Sequence, residues 1–230
     1  MEFQLMPGGV ISGEARVPGD KSISHRSIML GALAEGTTRV SGFLEGEDAL
    51  ATVAAFRAMG VSIEGPEEGR VVIHGVGLHG LQAPSGALDM GNSGTSIRLL
   101  SGLLAGQPFD SELTGDVSLC KRPMGRVMDP LRLMGAHIEG AGAGTPPLHI
   151  VGGQTLRGIH YDLPMASAQV KSCVLLAGLY ASGTTSVTEP APTRDHTERM
   201  LRGFGYTVGT EQGVISLAGG GQLRATDVDV

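Results

Sequence analysis

Three ten-residue stretches of this chain share one pattern: FRAMGVSIEG (56–65), LRLMGAHIEG (131–140) and LRGFGYTVGT (201–210) each read as a helix end, a glycine stop and an alternating strand. Gly60, Gly135 and Gly205 stand 75 and 70 residues apart. A second landmark lies upstream in each copy, at SIMLGALAEGTT (27–38), RLLSGLLAGQP (98–108) and VLLAGLYASGTT (174–185). Two landmarks in one order, three times over, constrain the fold more than any single motif does, because repeated units bury their apolar faces against one another. The period exceeds those of ankyrin, tetratricopeptide and leucine-rich repeats.

Each copy reads as strand, helix, strand, helix, strand, strand. The second helix of copy one, EDALATVAAFRAMG (47–60), is amphipathic, with Leu50, Val53, Ala54 and Phe56 expected inside and Glu47, Asp48 and Arg57 in water. The first helix of each copy is polar only near its N-terminus and apolar on all sides beyond it, which assigns it to the interior. These patterns predict an α/β fold of three pseudo-threefold βαβαββ repeats, with buried parallel helices inside and short sheets outside. The expected three-repeat domain covers 14–225, with repeats near 14–80, 86–153 and 158–220. Three units stacked in a row are the alternative arrangement.

The chain has 230 residues, 41% of them hydrophobic, which suffices for a sizeable core. Its net charge of −6, 3% aromatic content and lack of Trp argue against nucleic acid, which calls for a basic face and stacking rings. An anionic ligand must therefore be met by a local gathering of cations. Cys120 and Cys173 lack zinc or CxxC spacing, and no 18-residue apolar run or leader pattern is present, so the sequence reads as a reduced, cytoplasmic protein without membrane contact.

Parallel inner helices would bring GDKSISHR (19–26), GNSGTSIR (91–98) and MASAQVKS (165–172) together at one end. Free N–H groups and helix dipoles converging there make an anion site before any side chain is counted, and Lys21, Arg26, Arg98 and Lys171 sit in or just past these first turns. Ordinary capping by Asp20 and Ser22 is the plainer account of the first stretch. PGDKS is not a Walker A loop, because Asp20 stands where glycine is required. GVGLHG (75–80) matches a dinucleotide fingerprint, but Pro84 falls where the helix should run. The seven histidines show no metal-ligand spacing; His74, His137 and His149 fall in strand-like stretches and read as structural. LCKRPMGR (119–126) and PTRDHTER (192–199) place basic turns at corresponding points of copies two and three.

Taken together, PGDKSISHR, GNSGTSIRLLSGLLAG, TGDVSLCKRPMGR, LPMASAQVKSCVLLAGL and EPAPTRDHTERML resemble the enolpyruvylshikimate-phosphate synthase family over essentially the whole chain, with wording similar to the bacterial class that includes glyphosate-tolerant members. The resemblance implies transfer of the enolpyruvyl group of phosphoenolpyruvate to the 5-hydroxyl of shikimate 3-phosphate, with no metal or organic cofactor and with glyphosate as inhibitor. It implies that Lys21 is catalytic and reaches both phosphoenolpyruvate and the target hydroxyl. Ser22 and Arg26 would hold the shikimate carboxylate, Ser167 and Ala168 its phosphate, with Gln169 over the ring and Arg194 adding a salt bridge to the phosphate. Asn92, Gly94 and Arg122 would form the phosphoenolpyruvate pocket, with Lys21 and Gln169 also facing that ligand.

By the same resemblance, the family joins two such three-repeat domains, and this chain corresponds to the first. Residues 1 to about 13 would be a strand or hinge segment that belongs with the second domain, and 226–230 a second hinge; the carboxylates and cations of that domain complete the site, so this half is expected to lack turnover without it. Two alternatives stand beside this reading. One is the corresponding half of a UDP-N-acetylglucosamine enolpyruvyl transferase, which would want a Lys-Asn pair where Lys21-Ser22 stands. The other is a non-catalytic anion-binding module.

Overall fold

The computed structural model describes residues 4, 6, 8–10, 12–15 and 17–230. Copy one runs α1 (Lys21–Leu33), β1 (Glu35–Ser41), α2 (Glu47–Ala58), β2 (Ser62–Glu67) and β3 (Arg70–Val76). Copy two runs β4 (Leu88–Asp89), α3 (Gly94–Leu104), β5 (Ser111–Thr114), α4 (Gly125–Leu133), β6 (His137–Ala141) and β7 (Thr145–Val151). Copy three runs β8 (His160–Asp162), α5 (Ala168–Gly178), β9 (Thr184–Thr188), α6 (His196–Gly203), β10 (Gly209–Glu211) and β11 (Val214–Ala218), and β12 (Val228–Asp229) follows.

The strands form three four-stranded sheets of one design, ordered β12-β1-β3-β2, β4-β5-β7-β6 and β8-β9-β11-β10. In each, the first pair is parallel and the other two pairs are antiparallel. The match exposes a difference from the expected order. Copies two and three bring their own first strand, but the described residues ahead of α1 form none, and β12 fills that place, with Val228 opposite Val40 and Asp229 opposite Ser41. The segment expected as a hinge over 226–230 therefore includes the strand that closes copy one's sheet, since the open edge of β1 needs backbone partners. Of the strand expected over 1–13, residues 1–3, 5, 7 and 11 lie outside the described residues, and the described ones belong to no strand.

The inner helices are α1, α3 and α5, buried on all sides beyond their first turns. Gly102 explains how closely two of them pack: a β-carbon there would stand 2.1 Å from the carbonyl oxygen of Cys173, so only glycine admits the α5 backbone. The repeated glycine stops are αL caps. Gly60, Gly135 and Gly205 take φ of +86°, +100° and +80°, and the residue after each donates back to Phe56, Leu131 and Leu201, closing the helix in a Schellman turn. An arginine three residues before each stop then braces the outgoing strand: Arg57, Arg132 and Arg202 donate through Nε to the carbonyls of Ile63, Ile138 and Val208.

The outer helix α2 corrects one expectation. Val53 and Phe56 are buried as the period predicts, but Ala54 is exposed and Leu50 is 38% exposed. Thr52 lies inside instead, because its hydroxyl meets His25 and Ser96 at the ends of the inner helices.

Candidate anion-binding site at three helix mouths

Each inner helix is capped by the residue before it. Asp20 Oδ1 accepts from the Ile23 amide at 2.8 Å, Ser93 Oγ from Ser96 at 3.1 Å and Ser167 Oγ from Val170 at 3.4 Å. The first turns are also bonded to one another. Gln169 Nε2 donates to Thr95 Oγ1 at 3.1 Å, Arg26 Nη2 donates to Ser172 Oγ at 2.7 Å, and His25 Nδ1 lies 3.3 Å from Ser96 Oγ. The three N-termini thus meet at one end, and their dipoles add there.

A cleft of about 280 Å³ opens at this junction, with Lys21, Ser22 and Arg26 from α1, Ala168 and Gln169 from α5, and Arg194 from the loop ahead of α6. Six of the seven residues expected around one ligand are therefore side by side. Ser167 is the seventh, seated at the N-cap of α5. A larger cavity of about 620 Å³ on copy three's outer sheet has no charged lining residue, so charge rather than size selects the site.

The site cations are held differently. Lys21 Nζ pairs with Asp48 Oδ2 at 2.9 Å, and its side chain is 53% exposed. Ser22 Oγ does not cap its helix; it accepts from Arg194 Nη1 at 3.2 Å. Arg26 is the most enclosed of them. It is 5% exposed, and three of its donors already engage Thr197 Oγ1 at 2.6 Å, the Ser22 carbonyl at 2.9 Å and Ser172 Oγ at 2.7 Å. Burial pushes its guanidinium down to about 10, so it keeps its charge at neutral pH.

Asn92, Gly94 and Arg122 assemble beside this cleft at the mouth of α3. Arg122 donates to the Asn92 side-chain oxygen and backbone carbonyl, and Asn92 Nδ2 donates to Asp116 Oδ2 at 2.7 Å. That hydrogen bond and the Leu119 amide hold the Asp116 carboxyl below its usual range. Arg98 donates to the Gly94 carbonyl at 2.9 Å, and its guanidinium is pushed below its ordinary value by burial and then by Arg122 and Arg126. Two guanidinium groups, those of Arg98 and Arg122, flank Gly94 and suit an anion.

Lys171 does not join the anion site as its first-turn position suggested. Its ammonium is 1% exposed and pairs with Glu189 at 2.7 Å and Glu198 at 2.6 Å. Copies two and three place Arg122 and Arg194 at matching points, in the loops ahead of α4 and α6. Sequence reasoning did not single out Thr95 and His196, which also line the cleft. Thr95 was legible as the neighbour of Gly94 in a helix mouth, whereas His196 needed the packing of α6 against α1. His74, His137 and His149 lie on strands but face outward. Cys120 and Cys173 are free thiols, and no helix among the described residues is long and apolar enough to cross a membrane.

The EPSP synthase (3-phosphoshikimate 1-carboxyvinyltransferase) family profile matches residues 5–230. A 3-phosphoshikimate 1-carboxyvinyltransferase of Alkalilimnicola ehrlichii is 68% identical over 230 residues, covering 100% of this chain and 52% of that protein. The protein of the same name from Methylococcus capsulatus is 68% identical over 228 residues, again 52% of its length. A solved EPSP synthase from Acinetobacter baumannii superposes with a TM-score of 0.93 at 71% identity, covering 95% of this chain and 49% of that one. The chain thus spans about half the length of the curated relatives it matches.

Proposed function

The chain belongs to the EPSP synthase family, and from that premise we propose that it is the N-terminal, substrate-binding half of a cytoplasmic 3-phosphoshikimate 1-carboxyvinyltransferase. The reading is carried by one observation: Lys21, Ser22, Arg26, Ala168, Gln169 and Arg194 converge on a single cleft at three helix mouths. Shikimate 3-phosphate fills that cleft, its anionic groups facing Ser22, Arg26 and Arg194 and the N-terminus of α5 with Ser167 and Ala168. Phosphoenolpyruvate sits beside it at Asn92, Gly94 and Arg122, and Gln169, tied to Thr95 at 3.1 Å, stands between the two ligands.

The 5-hydroxyl oxygen bonds to the central enolpyruvyl carbon as it loses its proton and the methylene carbon gains one; the C–O bond to phosphate then breaks as the new methyl group gives up a proton, which restores the double bond. Lys21 faces both reacting groups and stabilises charge that develops between them, while Arg122 holds the phosphoenolpyruvate anion in register. Asp48, 2.9 Å from the Lys21 ammonium, keeps that charge at the rim until the ligands draw it in. Proton transfer by carboxylates and exclusion of water fall to the other half of the full-length protein, so this half alone does not turn over. Glyphosate takes the phosphoenolpyruvate position.

Phosphate release from shikimate 3-phosphate and phosphoenolpyruvate tests the reading. This chain alone should release none, and addition of the separately expressed second half of the Alkalilimnicola ehrlichii relative should restore it. No release from two folded halves would favour the anion-binding module.

A further inference from the structure

We propose that Lys171 is a positioning residue for Arg194, a reading that rests on the cleft being the shikimate 3-phosphate site. Arg194 lies on the loop between β9 and α6, is exposed, and reaches Ser22 across the cleft. The two ends of that loop are pinned to one buried ammonium: Lys171 Nζ meets Glu189 at the loop's start and Glu198 in the first turn of α6. Thr193, next to Arg194, adds a third tie by donating to the other oxygen of Glu189.

Two features argue that this cluster supplies geometry rather than stability alone. A buried ion triad adds little over an apolar filling of the same volume, because desolvating the charges offsets their attraction. Lys171 also lies less than one turn beyond Ala168 and Gln169, so the helix turn that floors the cleft is the one that anchors the loop above it. Arg26 completes the arrangement. It binds Ser172 and Thr197, the neighbours of Lys171 and Glu198, so two cations and two carboxylates gather between α1, α5, α6 and the loop after β9.

The test compares shikimate 3-phosphate with unphosphorylated shikimate in NMR titrations of this chain. Lys171→Met should weaken shikimate 3-phosphate about tenfold and leave shikimate within about twofold, and the Lys171→Met/Arg194→Ala pair should bind no worse than Arg194→Ala alone. Glu198→Gln, which weakens one arm of the triad at nearly constant volume, should weaken the phosphorylated ligand severalfold with shikimate unchanged, and it decides the matter if Lys171→Met does not fold. Equal losses for both ligands, additive losses in the pair, or full affinity in Glu198→Gln would overturn the proposal. A wild-type chain that does not prefer the phosphorylated ligand would overturn the reading of the cleft itself.

Discussion

Arg122 Nη1 lies 3.0 Å from where a β-carbon on Gly94 would sit, and Nη1 of Arg98 is nearer still, at 2.7 Å. Both atoms are the far ends of flexible side chains, and Gly94 has no left-handed backbone to strain. Gly94→Ala should therefore fold normally, with a thermal midpoint within about 2 °C of wild type, as for substitutions that break no core contact. The added methyl instead moves the guanidinium groups that hold the anion. In an enzyme assembled from this chain and its second half, inhibition and steady-state assays should show about 1.5–3 kcal/mol lost for glyphosate, the scale of one charge-assisted hydrogen bond, and less for the shorter phosphoenolpyruvate. Equal losses would mean that Gly94 does not discriminate between them.

His25 makes the fold sensitive to acid. It is fully buried, its Nδ1 shares a hydrogen bond with Thr52 at 2.8 Å, and its Nε2 has no partner among the described residues. Burial outweighs the pull of Asp48 and lowers the imidazole from 6.5 to about 4. As pH falls, the unfolded chain takes up this proton first. Stability is thus complete above the unfolded value of 6.5 and is lost on the way down to about 4. Between pH 7 and 4.5 the loss from this one group should be roughly 2.5 kcal/mol, and His196, also pushed down by burial, adds in the same direction. Urea midpoints at the two pH values should separate far less in His25→Asn than in wild type. The same separation in both would show that His25 stays neutral for another reason or not at all.

The closing strand gives a third test. Removing residues 226–230 strips β12 from β1, including the hydrogen bonds from the Val230 amide to the Ser41 carbonyl at 2.9 Å and from Ser41 Oγ to Asp229 Oδ1 at 2.7 Å. At about 1 kcal/mol for each net hydrogen bond, plus the partly buried Val228 and Val230, the loss should be about 2–4 kcal/mol. It should appear as a lower urea midpoint. An unchanged midpoint would mean that β12 only rests on the sheet edge.

The repeat was legible because its punctuation is local. Gly60, Gly135 and Gly205 mark positions where a helix must turn through positive φ, and three such marks at near-equal spacing impose one unit three times. The meeting of the helix mouths that carry Lys21, Asn92 and Gln169 followed from parallel helices sharing an end, whereas the place of Arg194 came from the family resemblance. What the sequence hid was pairing across distance. Nothing near Val228 tells that it lies beside Val40, 188 residues earlier, and α2 could not reveal that Thr52 displaces Leu50 from the interior. Lys171 was misplaced for the same reason. Its position on α5 was right, but the partners that neutralise it, Glu189 and Glu198, come from the far side of β9.

Arg26 and Arg194 separate binding from folding. Arg26 is 5% exposed and joins Ser22, Ser172 and Thr197, so Arg26→Ala removes three charge-assisted hydrogen bonds and one of the positive charges near Glu198. Arg26→Ala should therefore lower the stability of the chain by about 3 kcal/mol while it also weakens shikimate 3-phosphate. Arg194 is exposed, and among the described residues its side chain bonds only to Ser22 Oγ. Arg194→Ala should therefore leave stability within about 0.5 kcal/mol of wild type and remove about 1.5–3 kcal/mol from ligand binding. Calorimetry for binding, paired with urea denaturation of the same two variants, reads both quantities. If Arg194→Ala destabilised the fold as much as Arg26→Ala does, its loop would be part of the core rather than a clamp on the ligand. If Arg26→Ala left stability untouched, the three hydrogen bonds that bury it would have to re-form with water, and its role would reduce to the charge it shows the cleft.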